Sequence, residues 1–344
     1  MRDRFLRACW RKPVDRTPAW YMRQAGRYLL EYRDARAKRG ILEIAKDPKF
    51  AAELARLPIE KFGVDAAILF ADIMIPLEAM GVRLEIREDV GPIILDPIRE
   101  ATDVDRLGTL DPDVDLPFLA ESIGLLRDAV EVPVIGFSGA PFTLAAYLIE
   151  GGPSRDFAKA RAFMYRDEAA WHRLLGALAD MVAAYTQYQV RVGAQAIQLF
   201  DSWVGALGPD DYVRYVLPHT QRAFVGTDGM GIPRIHFGTN TGTLLEAMRD
   251  AGGEVIGIDW RIPIDEAWRR VGDRVAIQGN LDPATLLAGT DVAVHRARDI
   301  LDRVGCRPGH IFNLGHGVPP GTSPETLAAL TKAVHAYPLP GGTA

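Results

Sequence analysis

The amino-acid sequence predicts an α/β protein, a single (β/α)8 TIM-type barrel over residues 1–344 with a hairpin excursion after its second strand. Three observations carry that expectation. Eight short apolar runs recur along the chain, each ends in a glycine or a polar residue, and most are followed by a helical pattern. Buried parallel strands are near-continuous hydrophobic runs, because helices cover them outside and side chains fill the interior. Eight such runs alternating with helices is the count of a closed barrel.

The runs lie at 18–22, 66–70, 132–137, 196–200, 234–237, 255–258, 275–277 and 311–314. Behind them come Arg23, Asp72, Ser138, Asp201-Ser202, Gly238, Asp259, Gly279-Asn280 and Gly315-His316. Helix starts are marked by Asp47-Pro48, Gly139-Ala140-Pro141, Gly208-Pro209-Asp210, Asp282-Pro283 and Thr322-Ser323-Pro324. Proline suits such a first turn, whose N–H has no intrahelical partner anyway. Residues 82–95 break the rhythm, and alternation around Glu88-Asp89-Val90-Gly91 predicts the hairpin. Residues 101–117, with Asp111-Pro112-Asp113, read as a surface connection, and residues 33–39 as a solvated helix face.

Composition narrows the function classes. Hydrophobic residues make up 48% of the chain and charged residues 25%, which are globular values. No apolar run approaches the ~18–20 residues of a membrane helix. Arg2, Arg4, Arg7 and Arg11 interrupt the N-terminal stretch too often for a signal-peptide apolar region. Two cysteines, Cys9 and Cys306, lie far apart and suit a reducing, cytoplasmic setting rather than a disulfide framework or thiolate metal site. A net charge of −5 without a basic run argues against nucleic-acid and membrane-surface partners.

Cofactor motifs fail one by one. There is no phosphate-binding P-loop. Gly315-His316-Gly317 follows a strand, yet the next glycine is Gly321, so the dinucleotide fingerprint is not met. Gly136-Phe137-Ser138-Gly139-Ala140 misses the last glycine of a nucleophile elbow. Asp111-x-Asp113-x-Asp115 lacks the glycine of a calcium loop. The expectation is an enzyme without metal or cofactor.

What the strand ends do carry is a set for gripping an anion. Arg23-Gln24-Ala25-Gly26-Arg27 places two guanidiniums just past the first strand, on the rim where barrel enzymes build their sites. Each offers a planar bidentate fork for carboxylates, although the pair also reads as ordinary surface ion-pairing. Asp72 sits among Phe70, Ile73, Met74 and Ile75, where a carboxylate is costly unless it accepts hydrogen bonds or faces a cation; the alternative is a helix N-cap. Tyr147 lies on the helix after the third strand, where an aromatic also serves as core. Ser202 follows Asp201 and doubles as an N-cap candidate. His316, between two glycines, is less easily explained by packing. All of these fall on one rim.

Their motifs resemble those of the uroporphyrinogen decarboxylase family. The matching stretches are 18–28 (Pro-Ala-Trp-Tyr-Met-Arg-Gln-Ala-Gly-Arg-Tyr), Phe70-Ala71-Asp72-Ile73, 136–144, Tyr147 with Glu150-Gly151-Gly152, 198–203, 279–283 and 312–317, so the resemblance covers essentially the whole chain. Two departures are mild: Leu30 stands where the family usually has proline, and Ala71 where serine is common. The resemblance implies a (β/α)8 barrel, a homodimer in tetrapyrrole biosynthesis, and removal of the four acetate carboxyl groups of uroporphyrinogen III to give coproporphyrinogen III and carbon dioxide. It implies no cofactor. The implied substrate site is Arg23, Gln24, Ala25, Gly26 and Arg27 with Asp72, Tyr147, Ser202 and His316; catalysis is assigned to Asp72, Arg23, Arg27 and Tyr147. Arg23, Arg27 and His316 are expected to reverse the local field for a polyanionic substrate. The rival within the superfamily, a zinc-dependent methyltransferase, needs a His-x-Cys pair, and His236-Phe237-Gly238 lacks the cysteine.

Overall fold

The computed structural model describes residues 2–87, 90–305 and 307–339. Its strands, in chain order, are β1 (Ala67–Ile68), β2 (Leu84–Arg87), β3 (Gly91–Ile94), β4 (Val134–Gly139), β5 (Ala196–Asp201), β6 (Arg234–Gly238), β7 (Val255–Gly257), β8 (Ala276–Leu281) and β9 (His310–Leu314). All but β2 and β3 join one parallel sheet in the order β1-β4-β5-β6-β7-β8-β9. Every residue of β4, β8 and β9 is buried, as strands covered on both faces must be. The predicted α/β barrel is therefore present, with seven of the eight expected runs as strands among the described residues.

The eighth, 18–22, departs from expectation. It makes a single parallel bridge, Ala19 to Phe312. The reason lies in where its amides go. Ala19 N donates to the Asp65 carboxylate (2.9 Å), Tyr21 N to Gln24 Oε1 (3.1 Å) and Met22 N to Asn313 Oδ1 (3.1 Å), so side chains replace rungs of a ladder. The seam still closes. Phe312 N donates to Pro18 O (2.9 Å) and Trp20 N to Phe312 O (3.3 Å) on one side, and Asp65 N to Ala19 O (2.8 Å) on the other.

Asp65 is the knot of that seam. It is 2% exposed, and besides Ala19 N its carboxylate takes Arg4 Nη1 at 2.7 Å and His335 Nε2 at 2.7 Å, with Arg16 at 3.6 Å. Burial pushes its pKa up, but His335, the Ala19 amide and Arg4 outweigh that and hold it below the usual carboxylate range. Inside the barrel a polar chain crosses between strands: Trp20 Nε1 donates to Gln278 Oε1, and Gln278 Nε2 to Gln198 Oε1, both at 2.9 Å. Buried polar groups are tolerable when linked in this way.

The hairpin is where alternation placed it. β2 and β3 pair antiparallel, Leu84 opposite Ile94 and Arg87 opposite Gly91, while the expected turn residues Glu88 and Asp89 lie outside the described residues. Ile94 N donates to Gly151 O (2.9 Å), tying the hairpin to the helix that carries Tyr147. Helices start at Pro48, Pro141, Pro209 and Pro324, with Asp47 and Ser323 accepting capping bonds; Asp282-Pro283 opens a 3-10 turn instead. The connection 101–117 is more ordered than its sequence suggests. It carries the short helices Ala101–Val104 and Pro112–Asp115, and Asp111 caps the second by accepting from Asp113 N at 3.2 Å. Leu30, one of the departures from the family pattern, is the first residue of helix Leu30–Arg36 and is 59% exposed. Proline is favoured there but not required.

Candidate active site

The segment after the closing seam turns back on itself at the barrel mouth. Arg23 adopts a left-handed backbone (φ 58°), which costs a non-glycine residue about 1–3 kcal/mol and persists only where its surroundings fix it. Those surroundings are visible. Gln24 is fully buried, its Oε1 accepting from Tyr21 N and its Nε2 donating to Ala66 O (3.0 Å). The Tyr28 hydroxyl donates to Gln24 O. A Cβ on Gly26 would sit 2.6 Å from the Arg23 carbonyl oxygen, and one on Gly317 would sit 2.5 Å from Arg23 Cδ. The glycines of the first and last motifs therefore exist to let Arg23 lie down between them. Arg23 and Arg27 are exposed, Ala25 half-buried and Gly26 buried.

Asp72 lies past β1, half-buried, with Oδ1 accepting from Met74 N at 2.9 Å. The alternative reading as a local cap thus holds part of the truth, since one lone pair is spent within the turn. Burial raises its pKa above the ordinary carboxylate value, opposed by the Met74 amide and by the charge of Arg23. Tyr147, on helix Pro141–Glu150, feels the charges of both Asp72 and Arg23, and burial raises its hydroxyl pKa. His316 feels Arg23 too. Arg23, Asp72, Tyr147 and His316 are thereby gathered at one mouth. Arg27 lies on the same turn, its charge registering at Tyr32. Ser202 follows β5 and is half-buried.

One electrostatic expectation is corrected. Burial first, then the positive charge of Arg23, lowers the His316 pKa to about 4, so the imidazole is neutral at neutral pH. It does not help to reverse the field. It offers a donor and an acceptor instead, and the positive charge falls to the arginines.

Two residues of the mouth, Trp203 and Phe157, are not among the expected site residues, although Trp203 ends one of the matching motifs. Trp203 stands edge-on to Tyr147 (6.0 Å between centroids, 67°) and packs on Phe157 at 5.1 Å, giving the mouth an aromatic wall. Thr143 places it: its Oγ1 accepts from Trp203 N (3.2 Å) and donates to the buried Asp201 (3.1 Å). Adjacency to Ser202 was the available signal for Trp203; Phe157, 46 residues earlier in the chain, offered none. His236 is fully buried, with Nε2 3.4 Å from Asp201 and Nδ1 3.2 Å from Met248 O. Among the described residues, no group of three or more His, Cys, Asp or Glu side chains is placed to hold a metal ion, and Cys306 lies outside them. No helix among them is long and apolar enough to cross a membrane.

Arginines and the partly buried Asp72 carboxylate at the C-terminal mouth of a parallel β/α barrel define an enzyme built to hold an anionic small molecule. The chain belongs to the uroporphyrinogen decarboxylase family, whose model, described as "Uroporphyrinogen decarboxylase (URO-D)", matches residues 1–337. A relative named uroporphyrinogen decarboxylase from Sorangium cellulosum is 50% identical over 340 residues, covering 98% of this chain and 97% of its own. Another so named, from Carboxydothermus hydrogenoformans, is 48% identical, covering 97% and 96%. Among solved structures, a methyltransferase from Methanosarcina mazei superposes with a TM-score of 0.80 over 97% of each chain. At 20% identity that likeness speaks for the fold alone.

Proposed function

We propose that this chain removes the acetate carboxyl groups of uroporphyrinogen III, yielding coproporphyrinogen III and carbon dioxide in porphyrin biosynthesis. Family membership supports the activity, and the observation that carries the site is Asp72, a partly desolvated carboxylate at the barrel mouth that feels the charge of Arg23. The reading takes in Arg23 to Arg27, Tyr147, Ser202 and His316 as substrate contacts, and a homodimer working in the cytoplasm.

The chemistry follows from the substrate. Loss of carbon dioxide leaves an electron pair that must be accepted, and protonation of a pyrrole α-carbon makes a cation beside the acetate that accepts it. A second proton then turns the exocyclic methylene into the methyl group as the α-carbon releases the first. In this reading Asp72 takes hydrogen bonds from pyrrole N–H groups and stabilises that cation, the kind of preorganised charge that usually contributes most to catalysis. The substrate carries about eight carboxylates, ionised at neutral pH. Clamping the one that leaves would stabilise the ground state and slow the reaction. Some contacts of Arg23 and Arg27 therefore hold carboxylates that stay, while at least one positions the acetate or relays the proton.

The deciding experiment is anaerobic incubation of purified protein with uroporphyrinogen in the presence of a strong chelator, followed by oxidation and separation of the porphyrins. Stepwise loss of carboxylates to the four-carboxylate product is expected. Zinc-dependent activity would overturn the reading in favour of a methyltransferase-like chemistry. Within the site, Arg27→Ala should raise KM about 10-fold or more, one charge-assisted contact being worth about 1.5–3 kcal/mol. Arg27→Lys keeps the charge but loses the fork and should fall between. Unchanged kinetics in both variants would remove Arg27 from the site.

A further inference from the structure

Past β7 the chain runs Asp259-Trp260-Arg261 and leans across the end of β8 toward the loop after β9. The lean shows in the packing: a Cβ on Gly315 would meet the Trp260 amide nitrogen at 2.6 Å and Asp259 Cα at 3.0 Å. Asn280, at the end of β8, holds the loop down by donating from Nδ2 to the carbonyls of Asp259 (2.9 Å) and Ile262 (2.8 Å). Asp259 is 1% exposed and accepts from Asn240 N at 2.6 Å and Arg261 N at 3.1 Å. Its carboxylate has those two partners before any guanidinium arrives. Arg261 nevertheless bonds it through Nη1 and lies over the Trp260 ring, 4.2 Å from the centroid. Clamped at one edge and stacked on one face, the side chain still keeps 48% of its surface exposed.

We propose that Arg261 is a further arginine of the substrate site, binding a propionate carboxylate of the tetrapyrrole from the side of the mouth across His316 from Arg23. The inference rests on the decarboxylase reading. Trp260 packs on Gly315 while the Arg23 stem packs on Gly317, so the two arginines flank His316. The imidazole registers both: after burial, Arg23 and Arg261 each press its pKa down, with Asp259 opposing. Arg261 is paired with Asp259, so what it offers on the β7 side is the set of guanidinium donors that this ion pair leaves unused. A guanidinium already fixed loses little freedom on binding and presents its remaining donors to a carboxylate as a rigid fork. Its rigidity also selects the target. Held by Asp259 and Trp260, it suits a carboxylate that persists through every turnover rather than one that must leave.

The test compares Arg261→Ala, Arg261→Gln and Arg261→Lys with wild type, using uroporphyrinogen and the five-carboxylate intermediate as separate substrates. Both keep all propionates. KM should rise about tenfold for both in the Ala and Gln variants, with kcat within about twofold and an unchanged melting temperature; Lys should restore part of the loss. High salt should shrink the difference. Unchanged KM in the Ala and Gln variants overturns the proposal, as does a rise confined to uroporphyrinogen, which would mark an acetate contact. A purely structural role would lower the melting temperature without splitting KM from kcat. Failure of the wild-type chain to decarboxylate uroporphyrinogen would instead overturn the functional reading itself, and this inference with it.

Discussion

Replacing Asp72 with asparagine should lower kcat by about 10²–10³ while the protein still binds substrate and product. Asparagine keeps the shape and an oxygen for the Met74 amide, so the local turn survives and the charge alone is lost. A group needed mainly to stabilise the cation is worth little to the ground state, which separates kcat from binding. Stability should move the other way. Burial holds the Asp72 pKa above its ordinary value, so the ionised form is disfavoured in the fold and costs stability as pH rises through that pKa. Asp72→Asn should therefore melt no lower than wild type at neutral pH. Asp72→Glu should also be slow, since one methylene moves the carboxylate by about 1 Å in a preorganised site. Single-turnover kinetics with a product-binding titration checks both statements, and near-normal turnover in Asp72→Asn would reduce the residue to a turn cap.

Asp65→Asn should cost about 3–5 kcal/mol, the usual loss when one partner of a buried ion cluster is removed. Asparagine still accepts from Ala19 N, but Arg4 and His335 lose the charge they face. At about 2 °C per kcal/mol the melting temperature should fall by about 6–10 °C. The acid side offers a second check. Because the folded-state pKa of Asp65 is depressed, its contribution is present above the unfolded carboxylate value and is lost as pH falls through the folded one. The stability difference between wild type and Asp65→Asn should accordingly shrink in acid. A variant as stable as wild type at neutral pH would show that backbone bonds close the seam unaided.

Strands β4 to β9 could be read from sequence because an apolar run punctuated by glycine or a polar residue states its own burial. The run 18–22 reads the same way, yet its amides are taken by Asp65, Gln24 and Asn313, up to 291 residues distant, and no local pattern announces such partners. Asp72 was visible as a lone carboxylate among hydrophobics, though not its bond to Met74. The charge state of His316 was misread because desolvation belongs to the assembled mouth, not to the glycines beside it in sequence. Arg261 escaped notice for a similar reason. Three residues past an apolar run it looks like any loop arginine, and only its stacking on Trp260 and its clamp to Asp259 set it apart.

The closing stave of the barrel has a consequence for the order in which the molecule becomes competent. The stretch bearing Arg23 and Arg27 is made early, but what shapes it is made late: Tyr21 is held by Thr331, 310 residues on, and Met22 by Asn313. Contacts across such separations bear a large loop-closure entropy and form late in folding. A ribosome releasing this chain therefore exposes an arginine-rich stretch that matches its substrate in charge and lacks any means of holding it in place. Recognition arises only when the last strand and the final helix dock, so the barrel checks its own completion before it can grip anything.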